Sequence, residues 1–310
     1  MGDLRKSLKA YLQGRRALGY KLYESGLLLT QFVNYLEEEG AAFITQTLAL
    51  QWAVLPQKTQ PAQWAVRLRV VRHFARYMSA LDPRTEIPPP SLLPYRYSRT
   101  KPYIYSKRQI LKLIEAAQRL PSRSGIRALT YAALFGLIAA TGMRISETLG
   151  LDRDDVNLHK GILTVCETKY GRPRLLPIHL STVKALRQYA DRRDQAHPKA
   201  KCSKFFVAED GARLTPCTVR WTFNRLSYQI GLRAPSDHRG PRIHDLRHTF
   251  VVQTLQRWYR EEMNVEQHLP HLAAYLGHRH VKDTYWYLTA TPDLLRLAIQ
   301  RMESIQEGLL

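Results

Sequence analysis

Proline sets the firmest limit on how this chain can fold. Between Leu81 and Pro102 it carries Asp82-Pro83, the run Pro88-Pro89-Pro90, Pro94 and Pro102. Each proline lacks an amide hydrogen, fixes its own φ and biases the preceding residue away from helix. A stretch this dense favours an extended connector. It predicts a helical N-terminal domain over 1–85, a proline-rich basic linker over 86–104 and a larger domain over 105–310. The 310 residues leave room for a proper core in both outer parts.

Residues 1–85 show helical spacing over Leu4–Leu12, Leu27–Glu39 and Trp64–Ala80. In the last of these, Leu68, Val71, Ala75 and Met78 mark one face. Arg69, Arg72 and Arg76 recur at the same period on another. A solvated charged face is the ordinary fate of such a stripe. Here the composition weighs for a polyanion, because the chain carries a net charge of +21 with both parts basic. The linker continues the theme, with Arg96, Arg99 and Lys101 interleaved among Tyr95, Tyr97 and Tyr103. These six basic residues are the expected DNA-backbone contacts.

The sequence excludes several other classes. It has no run of 18 apolar residues and no lipidation signal, so no membrane partner is expected. Met1-Gly-Asp-Leu-Arg-Lys lacks the apolar core of a signal peptide. Cys166, Cys202 and Cys217 are odd in number and far apart. They suit a reducing, cytoplasmic setting and are expected as small buried hydrophobes. There is no Walker loop and no Gly-x-Gly-x-x-Gly fingerprint.

In the larger part, Ser106 followed by Gln109 has the pattern of a helix capping box. The apolar run Tyr131–Ala140 should form a buried helix that Thr141-Gly142 ends. Arg144 and Glu147 then lie one turn apart on a new helix. Asp152-Arg-Asp-Asp155 is a poor magnesium site without further acids and is expected as a polar loop entering a strand. Gly161–Ile178 is the one clear β stretch, a hairpin with Lys169 near its tip. Helices are expected over Thr182–Ala196, Arg213–Gly231, His244–Glu262 and Val265–Leu276. The tail, Pro292–Leu310, places Leu294, Ala298, Met302 and Ile305 on a stripe that must be buried, on its own domain or a neighbour's. The fold class expected is mainly α with a small β hairpin.

His244 and His248 have the spacing of two zinc ligands on a helix. Arg247 beside them opposes a metal, and no metal site is expected. His248 is expected to be structural. His244, Arg247 and His278 gain meaning as a set with Arg144 and Lys169, followed by Tyr285 and Tyr287.

Thr141-Gly-Met-Arg-Ile-Ser-Glu147, His244-Asp-Leu-Arg-His-Thr-Phe250 and Leu276-Gly-His278 with Tyr287, together with the hairpin Lys169, resemble the tyrosine recombinase (phage integrase) family. The motifs lie in family order across residues 141–288. The segment Leu269–His278 with Thr284–Leu288 resembles a subgroup found on bacterial mobile elements. The resemblance implies a two-domain architecture, with a helical core-binding domain clamping DNA beside a catalytic domain. It implies a site-specific recombinase or integrase that works on double-stranded DNA as a homo-tetramer across two sites. It also implies a bacterial cytoplasmic, nucleoid-associated protein. Its catalytic set would be Arg144, Lys169, His244, Arg247, His278 and Tyr287, supported by Glu147.

Elementary chemistry agrees. A phenol of pKa near ~10 is ionised in only about one molecule in a thousand at neutral pH, so Tyr287 must lose its proton as it attacks phosphorus. His244, a water or the substrate could accept it. Arg144 and Arg247 can each offer a planar fork to the phosphate oxygens. His278 adds a hydrogen bond, and Lys169 can protonate the departing 5′ oxygen. No metal, nucleotide or other cofactor is needed. The alternatives are a type IB topoisomerase-like nicking and closing enzyme and a catalytically silent DNA-binding regulator.

Overall fold

The computed structural model describes residues 2–57, 59–93, 101–166, 173–237, 240–289 and 291–307. The chain divides into two compact units, Met1–Thr100 and Lys101–Leu310.

Among the described residues, four helices build the first unit: α1 (Gly2–Ala17), α2 (Tyr23–Glu38), α3 (Gln46–Val54) and α4 (Pro61–Met78). Leu68, Val71, Phe74, Ala75 and Met78 of α4 close on Leu29, Phe32, Val33 and Leu36 of α2, with Leu4 and Leu8 of α1 completing the core. Helix α3 was not anticipated from periodicity. It is short and apolar on most sides, so it shows no stripe, and it starts at Thr45, whose side chain accepts the Leu48 amide.

The arginine stripe on α4 divides once the chain is folded. Arg69 and Arg76 are exposed, whereas Arg72 is half-buried. Its Nε and Nη2 donate to the carbonyls of Pro88 and Pro89 at 2.6 and 2.8 Å. Arg72 thus ties the start of the proline-rich stretch to the first unit, where Leu92 and Leu93 also pack. These bonds give Arg72 a structural role beside the DNA contact expected of it. Within the expected linker, residues 88–93 lie against the first unit. At the other end Tyr105 is buried, its hydroxyl donating to the Arg242 carbonyl. Lys101 is exposed, while Arg96 and Arg99 lie outside the described residues.

The second unit forms around α6 (Ile126–Thr141), whose Leu134, Phe135, Leu137 and Ile138 are fully buried. It packs on α5 (Lys107–Gln118), α8 (Leu180–Ala196) and α10 (Ile243–Arg260). The capping box expected at α5 is present, with Ser106 and Gln109 each bonded to the other's backbone. Between α7 (Ile145–Gly150) and α8 lies a three-stranded antiparallel sheet, β1 (Val156–Asn157), β2 (Ile162–Val165) and β3 (Arg174–Pro177). Leu163 pairs with Leu176, and both are buried, so the hairpin's inner face joins the core. The hairpin tip, 167–172, including Lys169, lies outside the described residues. The two-residue β1 is too short to show alternation in sequence. Helix α9 (Pro216–Gln229) completes this layer. The described residues are mainly helical with one small antiparallel sheet, as the sequence pattern predicts.

A second cluster in the same unit joins Val251, Val252 and Leu255 of α10 to Leu269, Leu272 and Leu276 of α11 (Val265–Leu276). It also takes in Tyr287, which follows the short α12 (Lys282–Tyr285), and Leu294 of α13 (Pro292–Glu307). The tail stripe is only partly buried. Leu294 is inaccessible and Ala298 half-buried, but Met302 is exposed together with Leu295 and Ile299. The cysteines depart from expectation: Cys166 and Cys217 are exposed and Cys202 is half-buried. None of the described helices is long and apolar enough to cross a membrane.

Candidate active site

The site grows from the two places where helices end at glycine. Helix α6 stops at Gly142, whose φ of +65° is the left-handed conformation that lets its amide reach back to the Ile138 carbonyl. A β-carbon there would lie 2.7 Å from the Phe250 ring, so the turn also needs the missing side chain. Helix α11 stops at Gly277 with φ +68°. Each stop leaves an unpaired carbonyl nearby, and Arg247 takes both: Nη1 donates to Gly142 O at 2.7 Å and Nη2 to Leu276 O at 2.9 Å. One guanidinium, 1% exposed, thereby pins the two motif loops together. Burial, then the neighbouring Arg144 charge, pulls its pKa down to about 10.

Arg144 is the N-cap residue of α7 and sits on Glu147. Its Nη1 donates to Oε1 at 2.7 Å and its amide to Oε2 at 2.9 Å. Glu147 is 2% exposed and has a second partner that the sequence reading missed. Arg174, the first residue of β3, forms a fork onto the same carboxylate at 2.9 and 3.2 Å, and its Nε donates to the Tyr275 carbonyl. Burial pushes the Glu147 carboxyl up, but the Arg174 and Arg144 bonds and charges outweigh it and hold it below the usual carboxylate range. A β-carbon on Gly277 would fall 2.7 Å from Arg174 Nη1, so this glycine also makes room for the latch. Nothing local in the sequence marked Arg174 for this role, since Glu147 lies 27 residues away.

His278 follows Gly277 and shares a 2.8 Å hydrogen bond through Nδ1 with the Thr284 hydroxyl. Burial first, then Arg247 and Arg144, push its pKa down to about 4, so its imidazole is neutral at pH 7. His244, in the first turn of α10, is pushed down too, by the protein crowding its ring and by the same two arginines. Its face remains open to solvent. The charges of Arg144, Tyr287, Glu147 and Arg174 all act on Arg247, so these groups converge on one place.

The two tyrosines differ. Tyr287 is 4% exposed and Tyr285 is 48% exposed. Tyr285 faces solvent. The Tyr287 hydroxyl shares a 2.9 Å hydrogen bond with His248 Nδ1. His248 was expected to be structural, and the fold seats it on the tyrosine instead. No local signal marks this, because the partners are 39 residues apart. In the 152–155 segment, Asp152 is engaged with Ser203 and Lys204, and Asp155 accepts the Asp152 amide. Among the described residues no group of three or more His, Cys, Asp or Glu could hold a metal.

The chain resembles known proteins along most of its length. Residues 104–293 match the model of the phage integrase family. The chain is 45% identical over 307 residues to a Sinorhizobium fredii protein named "Putative integrase/recombinase y4rB", covering 98% of each. It is 26% identical over 211 residues to the tyrosine recombinase XerA of Pyrococcus furiosus, covering 67% of this chain and 64% of that one. Among solved structures, the XerH site-specific recombinase bound to palindromic difH substrate superposes with a TM-score of 0.65 at 18% identity, over 90% of this chain and 78% of that one. The Tn1549 transposon integrase in complex with transposon right end DNA also gives 0.65, at 17% identity over 96% and 99% of the two chains. With the family model spanning most of the second unit and a relative this similar along nearly its whole length, the chain belongs to the phage integrase family and is a tyrosine recombinase.

Proposed function

We propose that this enzyme recombines two specific sites on double-stranded DNA, cutting and rejoining strands through a covalent 3′-phosphotyrosine intermediate on Tyr287. One observation carries the choice of nucleophile: Tyr287 is buried and hydrogen-bonded beside His278, on which Arg247 acts, while Tyr285 faces solvent. Arg144 and Arg247 grip the scissile phosphate and neutralise the charge that grows on its non-bridging oxygens. Removing one such donor typically costs about 3 kcal/mol of transition-state stabilisation. Neutral His278 and His244 add hydrogen bonds to the same oxygens. Lys169 protonates the departing 5′ oxygen. The phosphotyrosyl ester keeps the energy of the broken bond, so the 5′ hydroxyl of a second strand can reverse the step. Neither metal nor nucleotide takes part. The net charge of +21 suits a DNA partner, and the working unit is a homo-tetramer on two sites.

A nicked suicide substrate followed by denaturing gel and peptide mapping tests the reading. Tyr287→Phe binds DNA but forms no adduct, Tyr285→Phe becomes linked to a 3′ phosphate, and both results hold in EDTA. An adduct on Tyr285, or one surviving in Tyr287→Phe, overturns it. A two-site exchange assay separates recombination from nicking and closing alone.

A further inference from the structure

The geometry assigns the Tyr287 proton to His248: we propose that His248 Nδ1, rather than His244, is the base that takes it as the tyrosine attacks phosphorus. This rests on the reading of Tyr287 as nucleophile and deepens it.

Three observations carry the assignment. First, reach: Nδ1 and the Tyr287 hydroxyl are 2.9 Å apart, hydrogen-bonding distance before any DNA is bound. Among the described residues no hydrogen bond joins His244 to Tyr287. Second, orientation: the His248 ring is wedged edge-on between His244, at 4.7 Å between centroids, and Trp286, at 5.5 Å, with Tyr287 at 5.4 Å. These contacts aim Nδ1 at the tyrosine and limit rotation. Third, division of labour along α10. His244, Arg247 and His248 lie within about one turn. Arg247 and Arg144 act on His244, which remains open to an incoming ligand. His244 therefore belongs to the phosphate grip, and His248 to the nucleophile.

The step balances. His248 starts neutral, with its proton on Nε2 and its Nδ1 lone pair facing the phenol. As the Tyr287 oxygen forms its bond to phosphorus, the bond from phosphorus to the 5′ oxygen breaks. The phenol proton passes to Nδ1, leaving an imidazolium, and the 5′ oxygen takes its proton from the acid on the other side of the phosphate. In rejoining, the imidazolium returns the proton to the departing phenolate.

The test lowers the acidity barrier at the nucleophile itself. Tyr287 is replaced by a polyfluorinated tyrosine whose phenol ionises near neutral pH, in the full-length chain and in His248→Ala, His248→Gln and His244→Ala backgrounds. Single-turnover adduct formation is measured on the suicide substrate. With natural tyrosine, both His248 variants should slow about 100-fold or more. Glutamine keeps a hydrogen bond but has no useful basicity, so it must not rescue. The fluorinated tyrosine should restore most of the lost rate in the His248 variants and little in His244→Ala. Thermal melting and DNA binding identify the folded variants; if His248→Ala does not fold, His248→Gln decides. Wild-type rates in His248→Gln, or rescue confined to His244→Ala, overturn the proposal. An adduct persisting in Tyr287→Phe overturns the parent reading instead, so the two failures are distinct.

Discussion

Replacing Arg174 with alanine tests whether the buried carboxylate of Glu147 needs both of its arginines. The substitution removes two hydrogen bonds to Glu147, at 2.9 and 3.2 Å, and one to the Tyr275 carbonyl at 2.9 Å. Glu147 would keep Arg144, through Nη1 at 2.7 Å and the backbone amide at 2.9 Å. Truncating one partner of a buried, hydrogen-bonded pair costs about 2–5 kcal/mol, most of it from the charge left poorly compensated. With Arg144 still in place, about 3 kcal/mol is expected. For a unit of roughly 200 residues this lowers Tm by about 6–12 °C. Arg174→Lys keeps a charge but not the fork and should lose about half as much. The sign with pH follows from Glu147, whose carboxyl is held below its ordinary value. Such a group adds stability above its unfolded pKa and loses it as pH falls through the folded one. The gap between wild type and Arg174→Ala should therefore be widest near pH 7 and narrow in acid. Calorimetry at several pH values measures it, with the exposed Arg296–Asp293 pair as control, since such pairs contribute little. If Arg174→Ala melts no lower than Arg296→Ala, or the gap widens in acid, the reasoning is refuted.

DNA binding by the wild type should weaken with salt at a log–log slope of about −0.9 per phosphate contact. Arg69→Ala with Arg76→Ala should flatten that slope, whereas Arg72→Ala should mainly destabilise the first unit, because Arg72 holds the Pro88 and Pro89 carbonyls; an unchanged slope in the folded double variant would show the stripe to be only solvated surface. His278, at about 4 in the fold against an ordinary 6.5, binds fewer protons folded than unfolded between those values, so stability should fall as pH drops from 6.5 toward 4. His278→Asn should lessen that fall in melting curves, and an unaltered pH dependence would contradict the assignment. Deleting Ala298–Leu310 keeps the buried Leu294 but removes the exposed Ile299 and Met302. It should impair assembly on two sites more than single-site cleavage, and normal two-site complexes from the truncated chain would exclude that role.

What the sequence determined on its own was whatever depends on local periodicity and chain stereochemistry. The apolar run of α6 could be placed because a buried helix must be apolar all round and must stop where Gly142 permits a left-handed turn. The hairpin was visible because alternation and a turn signal are local, and the order of the motifs around Arg144, Arg247, His278 and Tyr287 announced the family. Tertiary structure decided which side chains meet across long stretches of chain. Arg72 resembled Arg69 and Arg76 in spacing, and only the returning Pro88–Pro89 backbone made it a structural tie. Arg174 gave no local sign of its role, because Glu147 lies 27 residues away. The resemblance already pointed to Tyr287, and burial added that Tyr285 faces solvent. His248 became the tyrosine's partner only through the packing of Trp286 and Tyr287 against α10. Spacing reports the face on which a residue lies, but hydrogen bonds act over about 3 Å, and only packing brings two distant faces within that range.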